Sequence, residues 1–323
     1  MDRIIKLVLA FPLILFLIYN SSCNYVEDPI APVYGDLDTS LYPGPGFYII
    51  PEFDETFPSS VQNILLEDYT GHTCGNCPLA AEIAHELKAS HPERVFIASV
   101  HASPNSTFQD VSEPGDSYYP EYSHDFRTPE GNEYVVEITG FPGNPVGMIN
   151  RKVDNSGSNW IFHPFWATEI DEIIAENPSL EMNLQVKTNY YTETRGLFVH
   201  VQSKTLESIE GSFSVVVFLM QNEFIAWQKD YRLPSDQQNI EDYHHKDVFL
   251  GTINGAFGTP LFDGVSNPEE FFQNDYSYEI PTDIDILGSS PGESTGLSII
   301  AFIMNTETFE IIQVTEVGIP VTF

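Results

Sequence analysis

The chain has 323 residues, with 47 acidic against 13 basic side chains and a formal net charge of −34. That balance repels nucleic acid and anionic lipid surfaces, excludes both as direct ligands, and favours basic partners or divalent cations. With aromatic residues at 13% and only three cysteines, the chain is neither a disordered acidic tail nor a disulfide scaffold, and its core must come from apolar burial over enough length for two domains.

Residues 1–22 read as an export signal. Arg3 and Lys6 supply a basic head, an apolar run follows from Leu7 to about Tyr19, and small polar residues lead to Cys23. The run is shorter than the roughly 20 apolar residues of a membrane span. A cysteine in this place resembles the lipobox of bacterial lipoproteins, in which the thiol is acylated and becomes the first residue of the mature chain. Asn20 departs from that pattern, which has an aliphatic residue there. Lipidation of Cys23 accounts for the odd thiol of an exported chain and leaves one pair, Cys74 and Cys77, in an oxidising compartment. The alternative is an ordinary secreted protein cleaved nearby, with Cys23 incidental.

Residues 23–58 are rich in Pro, Gly, Asp and Tyr without sustained periodicity, and are expected to be a tether. From Val61 the pattern changes. Residues 62–69 read as a strand ending near Gly71, and after the Cys pair Leu79, Ala80, Ile83, Ala84 and Leu87 recur at helical spacing up to Pro92. Residues 95–100 are nearly all apolar, as in a buried parallel strand. Strand, helix and strand in succession predict a βαβ unit. Residues 103–137 form a polar insertion containing a Tyr/Pro cluster at 117–122. Residues 145–150 predict a further strand, and 160–177 a helix with Phe165, Ile170, Ile173 and Ile174 on one face. After Pro178 the apolar period changes from 3.6 to 2, through Leu180, Met182, Leu184 and Val186, then Leu197, Val199 and Val201. Residues 212–224, 297–303 and 311–317 continue it, so 179–323 is expected to be an all-β, sandwich-like domain.

Cys74-Gly75-Asn76-Cys77 stands between a strand and the start of a helix. The first helical turn has unpaired N–H groups and a partial positive charge, which stabilise a thiolate. Cys74 would then attack disulfides and Cys77, one turn on, would resolve them. Pro78 fits, because early helical N–H groups have no partner to lose. An inert structural disulfide is the second reading and a metal site the third. Pro78 stands where a c-type haem site needs His, there is no second Cys pair, and His72 and His85 make a poor set with the cysteines, so neither metal nor cofactor is expected.

Residues 67–77 are similar, without gaps, to the active-site segment of thioredoxins. The resemblance implies an α/β thioredoxin-like domain at 59–178, interrupted by the 103–137 insertion, with the all-β domain following. It also places Asp68 near the buried carboxylate that relays protons to the second Cys. Glu67 is its neighbour, but adjacent strand residues face opposite sides, so only one can serve. Thr73 departs from the Trp usual there, which puts thioredoxin-like docking of partners in doubt. The resemblance further implies a cis-proline opposite the Cys pair, for which Pro145, directly before a strand, is favoured over Pro142. A broader resemblance rests on Leu65-Leu66-Glu67-Asp68-Tyr69-Thr70-Gly71, Cys74 to Pro78, Val100-His101-Ala102, residues 147–151 and Tyr243-His244-His245. These resemble the family named for outer membrane protein 28, lipoproteins of Bacteroidetes-type bacteria, and the resemblance implies an outer-membrane location.

Weaker candidates are His101, at the carboxyl end of a predicted parallel strand where α/β ligand sites lie, and the Tyr118–Tyr122 cluster. His244 and His245 point apart on a strand and make a poor metal pair. Asp283-Ile284-Asp285 with Gly288 lacks the later oxygen ligands of a calcium loop. Two functions from different classes follow. The first is a cell-envelope thiol–disulfide oxidoreductase acting on protein thiols or disulfides. The second is a surface lipoprotein whose thioredoxin-like unit is a scaffold for protein or glycan binding.

Overall fold

The apolar run before the Cys pair forms strand β1, Ile64–Thr70, every residue of which is buried. In this computed structural model, which describes residues 37–154 and 156–323, β1 is followed by helix α1, Cys77–Ser90, and by β2, Val95–His101. The leader and Cys23 lie outside the described residues. β1 and β2 pair in parallel, with Asp68 opposite Ser99 and Thr70 opposite His101. β3, Val146–Ile149, returns antiparallel to β1, with Tyr69 opposite Val146.

Two helices complete this half. α2, Pro129–Glu137, is capped by Thr128, whose hydroxyl accepts from Gly131 N. It falls inside the stretch expected as a polar insertion. α3, Trp166–Glu176, starts later than the expected Trp160, because residues 163–165 form a 3-10 turn and Ile161 bridges Gly147. Alternation on β1 and β2 splits the apolar residues into two cores. Leu66, Ile97 and Ile149 pack with Ala80, Ala84, Trp166 and Ile170 of α1 and α3, whereas Leu65, Val100 and Met148 pack with Tyr134 and Val135 of α2.

The remainder of the chain is β-structure: β4 (Met182–Tyr191), β5 (Gly196–Thr205), β6 (Ile209–Lys229), β7 (Asn239–Thr252), β8 (Thr259–Ser266), β9 (Phe271–Glu279), β10 (Ser294–Asn305) and β11 (Ile311–Pro320). β4, β5 and β9 form a three-stranded sheet. β10 and β11 extend β6, β8 pairs with the start of β6, and β6 pairs antiparallel with β7 along most of its length. The period of two read from the sequence is obeyed on β6. Val215, Val217 and Leu219 face the core shared with the three-stranded sheet, while Val216, Phe218 and Met220 face the core shared with α2.

The chain is thus mostly β, built on a mixed sheet with few helices. The expected boundary at 178/179 falls in the connection between α3 and β4, yet the two halves share one sheet, ordered β11-β10-β6-β7-β2-β1-β3. The join is narrow. β7 meets β2 in parallel at the single pair Ser99 and Val248, and the Ser99 hydroxyl donates to Lys246 O at 2.9 Å. Part of the expected tether is tied down: Tyr48 stacks on Phe198, and its hydroxyl lies 2.6 Å from His200 Nε2, whose Nδ1 lies 2.7 Å from Asp275. No helix among the described residues is long and apolar enough to cross a membrane.

Candidate functional site

The segment after β1 turns sharply into α1. Cys74 N donates to Gly71 O at 3.0 Å and Cys77 N to Cys74 O at 3.2 Å, so Cys77 is the first helical residue. Gly71 is required by close approach, since a Cβ there would lie 2.6 Å from Phe108 O. Cys74 and Cys77 are joined by a disulfide with Cα atoms 5.4 Å apart. Both cysteines are buried, at 2% and 1% exposure. The pair therefore sits at the N-terminus of α1, where backbone N–H groups lack helical partners and the helix carries a partial positive charge.

Beneath the pair, alternation on β1 sends the two acids in opposite directions. Glu67 faces the α2 core and holds Arg151 in a two-pronged ion pair, both contacts 2.7 Å and both side chains fully buried. Arg151 also lies 4.1 Å from the centre of the Tyr134 ring. Asp68 faces the other way, towards α1. It is fully buried, neither carboxylate oxygen has a hydrogen-bond partner, and burial pushes its carboxyl up to about 7. Asp68, Cys77, Ser99 and His101 line one cavity of about 340 Å³ between α1 and β7.

His101, brought there by its pairing with Thr70, is buried with both ring nitrogens unpartnered. Burial, then the neighbouring His245 and His72, hold it well below the usual histidine range. Its ring stacks on Phe126, with centroids 4.3 Å apart. The same Phe126 touches His124, His245 and His72 at 4.4, 4.7 and 5.7 Å. Burial lowers all three, His245 to about 3. His244, its neighbour on β7, points away to an exposed pairing with Glu223 at 2.9 Å.

The Asn144–Pro145 peptide is cis and directly precedes β3; Pro142 follows a trans bond. Register places Pro145 beside Thr70, and Asn144 Nδ2 donates to Thr70 O at 2.9 Å and Ala102 O at 3.1 Å. The Tyr cluster divides. Tyr122 packs against His72, while Tyr118 and Tyr119 are exposed. His85 pairs with Asp247 at 3.3 Å instead of reaching the cysteines. Among the described residues no group of three or more His, Cys, Asp or Glu is arranged to hold a metal ion.

Sequence reasoning missed the end of β6 and the turn that follows it. Gln228 Nε2 donates to Cys74 O at 3.1 Å, and Tyr231 N donates to Gly75 O at 2.8 Å. These residues follow the Cys pair by some 150 positions, and no local pattern marks them. Phe126 was equally silent, because its four histidines come from separate stretches of chain.

Against known proteins, a family model described as outer membrane protein Omp28 matches residues 133–322, more than half of the chain and beyond the Cys loop. Among solved structures, HBP35 of Porphyromonas gingivalis is similar over 81% of this chain and 76% of its own, with 18% identity and a TM-score of 0.54. A domain of the outer membrane lipoprotein Omp28 from Porphyromonas gingivalis is 20% identical over 45% of this chain and 93% of its own, with a TM-score of 0.28. No curated protein matches. At such identity the likeness to HBP35 concerns the fold alone.

Proposed function

Since the chain belongs to the Omp28 family of outer membrane proteins, we propose that it is a lipid-anchored thiol–disulfide oxidoreductase of the cell envelope, with its Cys pair on a thioredoxin-like unit. The observation that carries this reading is Asp68, a buried acid without a partner, in the same cavity as Cys77. A structural disulfide has no use for such a group, whereas an exchange centre needs a proton donor and acceptor beside the inner sulfur.

The chemistry follows from the geometry. A partner thiolate attacks Cys74 Sγ, the Cys74–Cys77 bond breaks, and Cys77 leaves as a thiolate. The neutral Asp68 carboxyl can protonate it through the cavity. A second partner thiol, deprotonated, then attacks the mixed disulfide; the partner departs oxidised and Cys74 is released as a thiolate, stabilised by the helix end. In the other direction Asp68 removes the proton from Cys77. The cis Pro145 stands at the edge of the loop, where an extended partner segment would pair.

The reduction potential of the pair tests this. A value between about −270 and −120 mV belongs to exchange catalysts, and one below about −300 mV to a structural bond. The anchor is tested separately: labelled palmitate should be incorporated by the wild-type chain and not after Cys23→Ser. The burial of both cysteines favours the second reading, a surface lipoprotein on a non-catalytic scaffold that binds protein or glycan. Under it, partner binding survives replacement of both Cys74 and Cys77 with Ser.

A further inference from the structure

The end of β6 and the turn that follows it lie on the Cys loop in the manner of an added strand. Lys229 N donates to His72 O and Tyr231 N to Gly75 O, each at 2.8 Å. Donation from alternate residues along one edge is how an extended peptide docks on a backbone edge. Two side chains add selectivity. The Tyr231 ring lies so close to Gly75 that a Cβ there would be 2.4–2.6 Å from three ring carbons. The Arg232 guanidinium reaches Glu82 on α1 at 2.6 and 2.8 Å. Its outer side is open to solvent, since Tyr231 is 51% exposed and Arg232 pairs with the exposed Glu82, while Gln228 and Asp230, the latter also held by Arg232 at 2.6 Å, are buried. With it in place, the cysteines are only 2% and 1% exposed.

We infer that residues 228–232 hold, within the chain, the place of the polypeptide that exchanges with the Cys pair, and that this partner is an extended segment presenting an aromatic residue followed by a basic one. The backbone donors would meet His72 O and Gly75 O, the aromatic ring would lie on Gly75, and the cation would meet Glu82. The exposed Glu82 and a net charge of −34 favour a basic segment here. The inference rests on the oxidoreductase reading. It sets a condition on the partner, which must displace the chain's own segment before a sulfur can be reached.

The test uses the oxidised protein and a water-soluble phosphine, which takes oxygen from water as it reduces the disulfide to two thiols and so acts whatever the potential. Rates are followed by alkylation and mass spectrometry. Tyr231→Gly and Arg232→Gln, both at exposed positions, should each speed reduction by about threefold or more. The peptide Gln-Lys-Asp-Tyr-Arg-Leu-Pro, at the millimolar concentrations that replace a tethered segment, should then slow the Tyr231→Gly variant. The same peptide with Ala for Tyr and Arg should not. Acceleration below about threefold in both variants overturns the inference. So does acceleration that the first peptide fails to reverse, or that both peptides reverse alike. Failure of the oxidoreductase reading registers instead in the equilibrium potential, which the phosphine rate does not depend on.

Discussion

Asp68→Asn keeps the shape of a protonated aspartate and removes its ability to ionise. In the native chain the carboxyl is fully buried without a hydrogen-bond partner, and burial moves it from 3.8 to about 7. The unfolded chain therefore releases this proton near pH 4, while the folded chain holds it until about pH 7. Between those limits the native state binds the extra proton. The stability contributed by this group is fully present below about pH 4 and is lost as pH rises through about 7. A span of about three pH units amounts to about 4 kcal/mol at pH 8. The asparagine variant escapes that loss, so its advantage over wild type should grow from near zero at pH 4 to about 4 kcal/mol at pH 8. Urea unfolding of both oxidised proteins at stepped pH measures the difference, in which contributions common to both chains cancel. A difference that stays flat to within about 1 kcal/mol would refute the claim that Asp68 is buried without a counter-charge.

Four further outcomes are expected. Arg151→Met leaves Glu67 as a buried lone carboxylate and should cost about 3–5 kcal/mol in urea unfolding, whereas adding Glu67→Leu should recover most of it. His72, His101, His124 and His245 are all lowered by burial, so the unfolded chain takes up their protons first as pH drops below about 6.5. Their contribution is whole above that value and lost below it, giving a melting temperature that falls from pH 7 to pH 5 and falls less steeply in His101→Phe. Replacing both cysteines with Ser removes a very short cross-link and should lower stability by only about 2 kcal/mol. His200→Ala should unpin Tyr48 and speed limited proteolysis ahead of residue 58, with little change in the melting of the sheets.

The βαβ core around the Cys loop was legible because its signals are local. Continuous apolar runs mark strands buried on both faces, helical spacing marks α1, and the change to a period of two marks the sheets after Pro178. The opposite facing of Glu67 and Asp68 also follows from strand geometry alone. Strand geometry alone did not say which acid lies under the sulfurs, and it was the resemblance to thioredoxins that favoured Asp68. That choice depends on Arg151, some 80 residues later, reaching Glu67 from the far side and leaving Asp68 alone beneath Cys77. Helix α2 was hidden in the stretch 103–137 because little of it is apolar, although Thr128-Pro129 is a helix-start signal.

The sequence by itself determined the order and type of most elements, the place of the Cys pair at a helix N-terminus and the family, since all three are written in short-range spacing and contiguous motifs. Only the tertiary structure decided that the two halves share a sheet, that three distant histidines, His72, His101 and His245, close on Phe126, and that Tyr231 lies over Gly75. Those are contacts between residues far apart in the chain. Their free energy comes from burial and from backbone hydrogen bonds that any residue can make, so they leave no mark in the pattern of residues that make them.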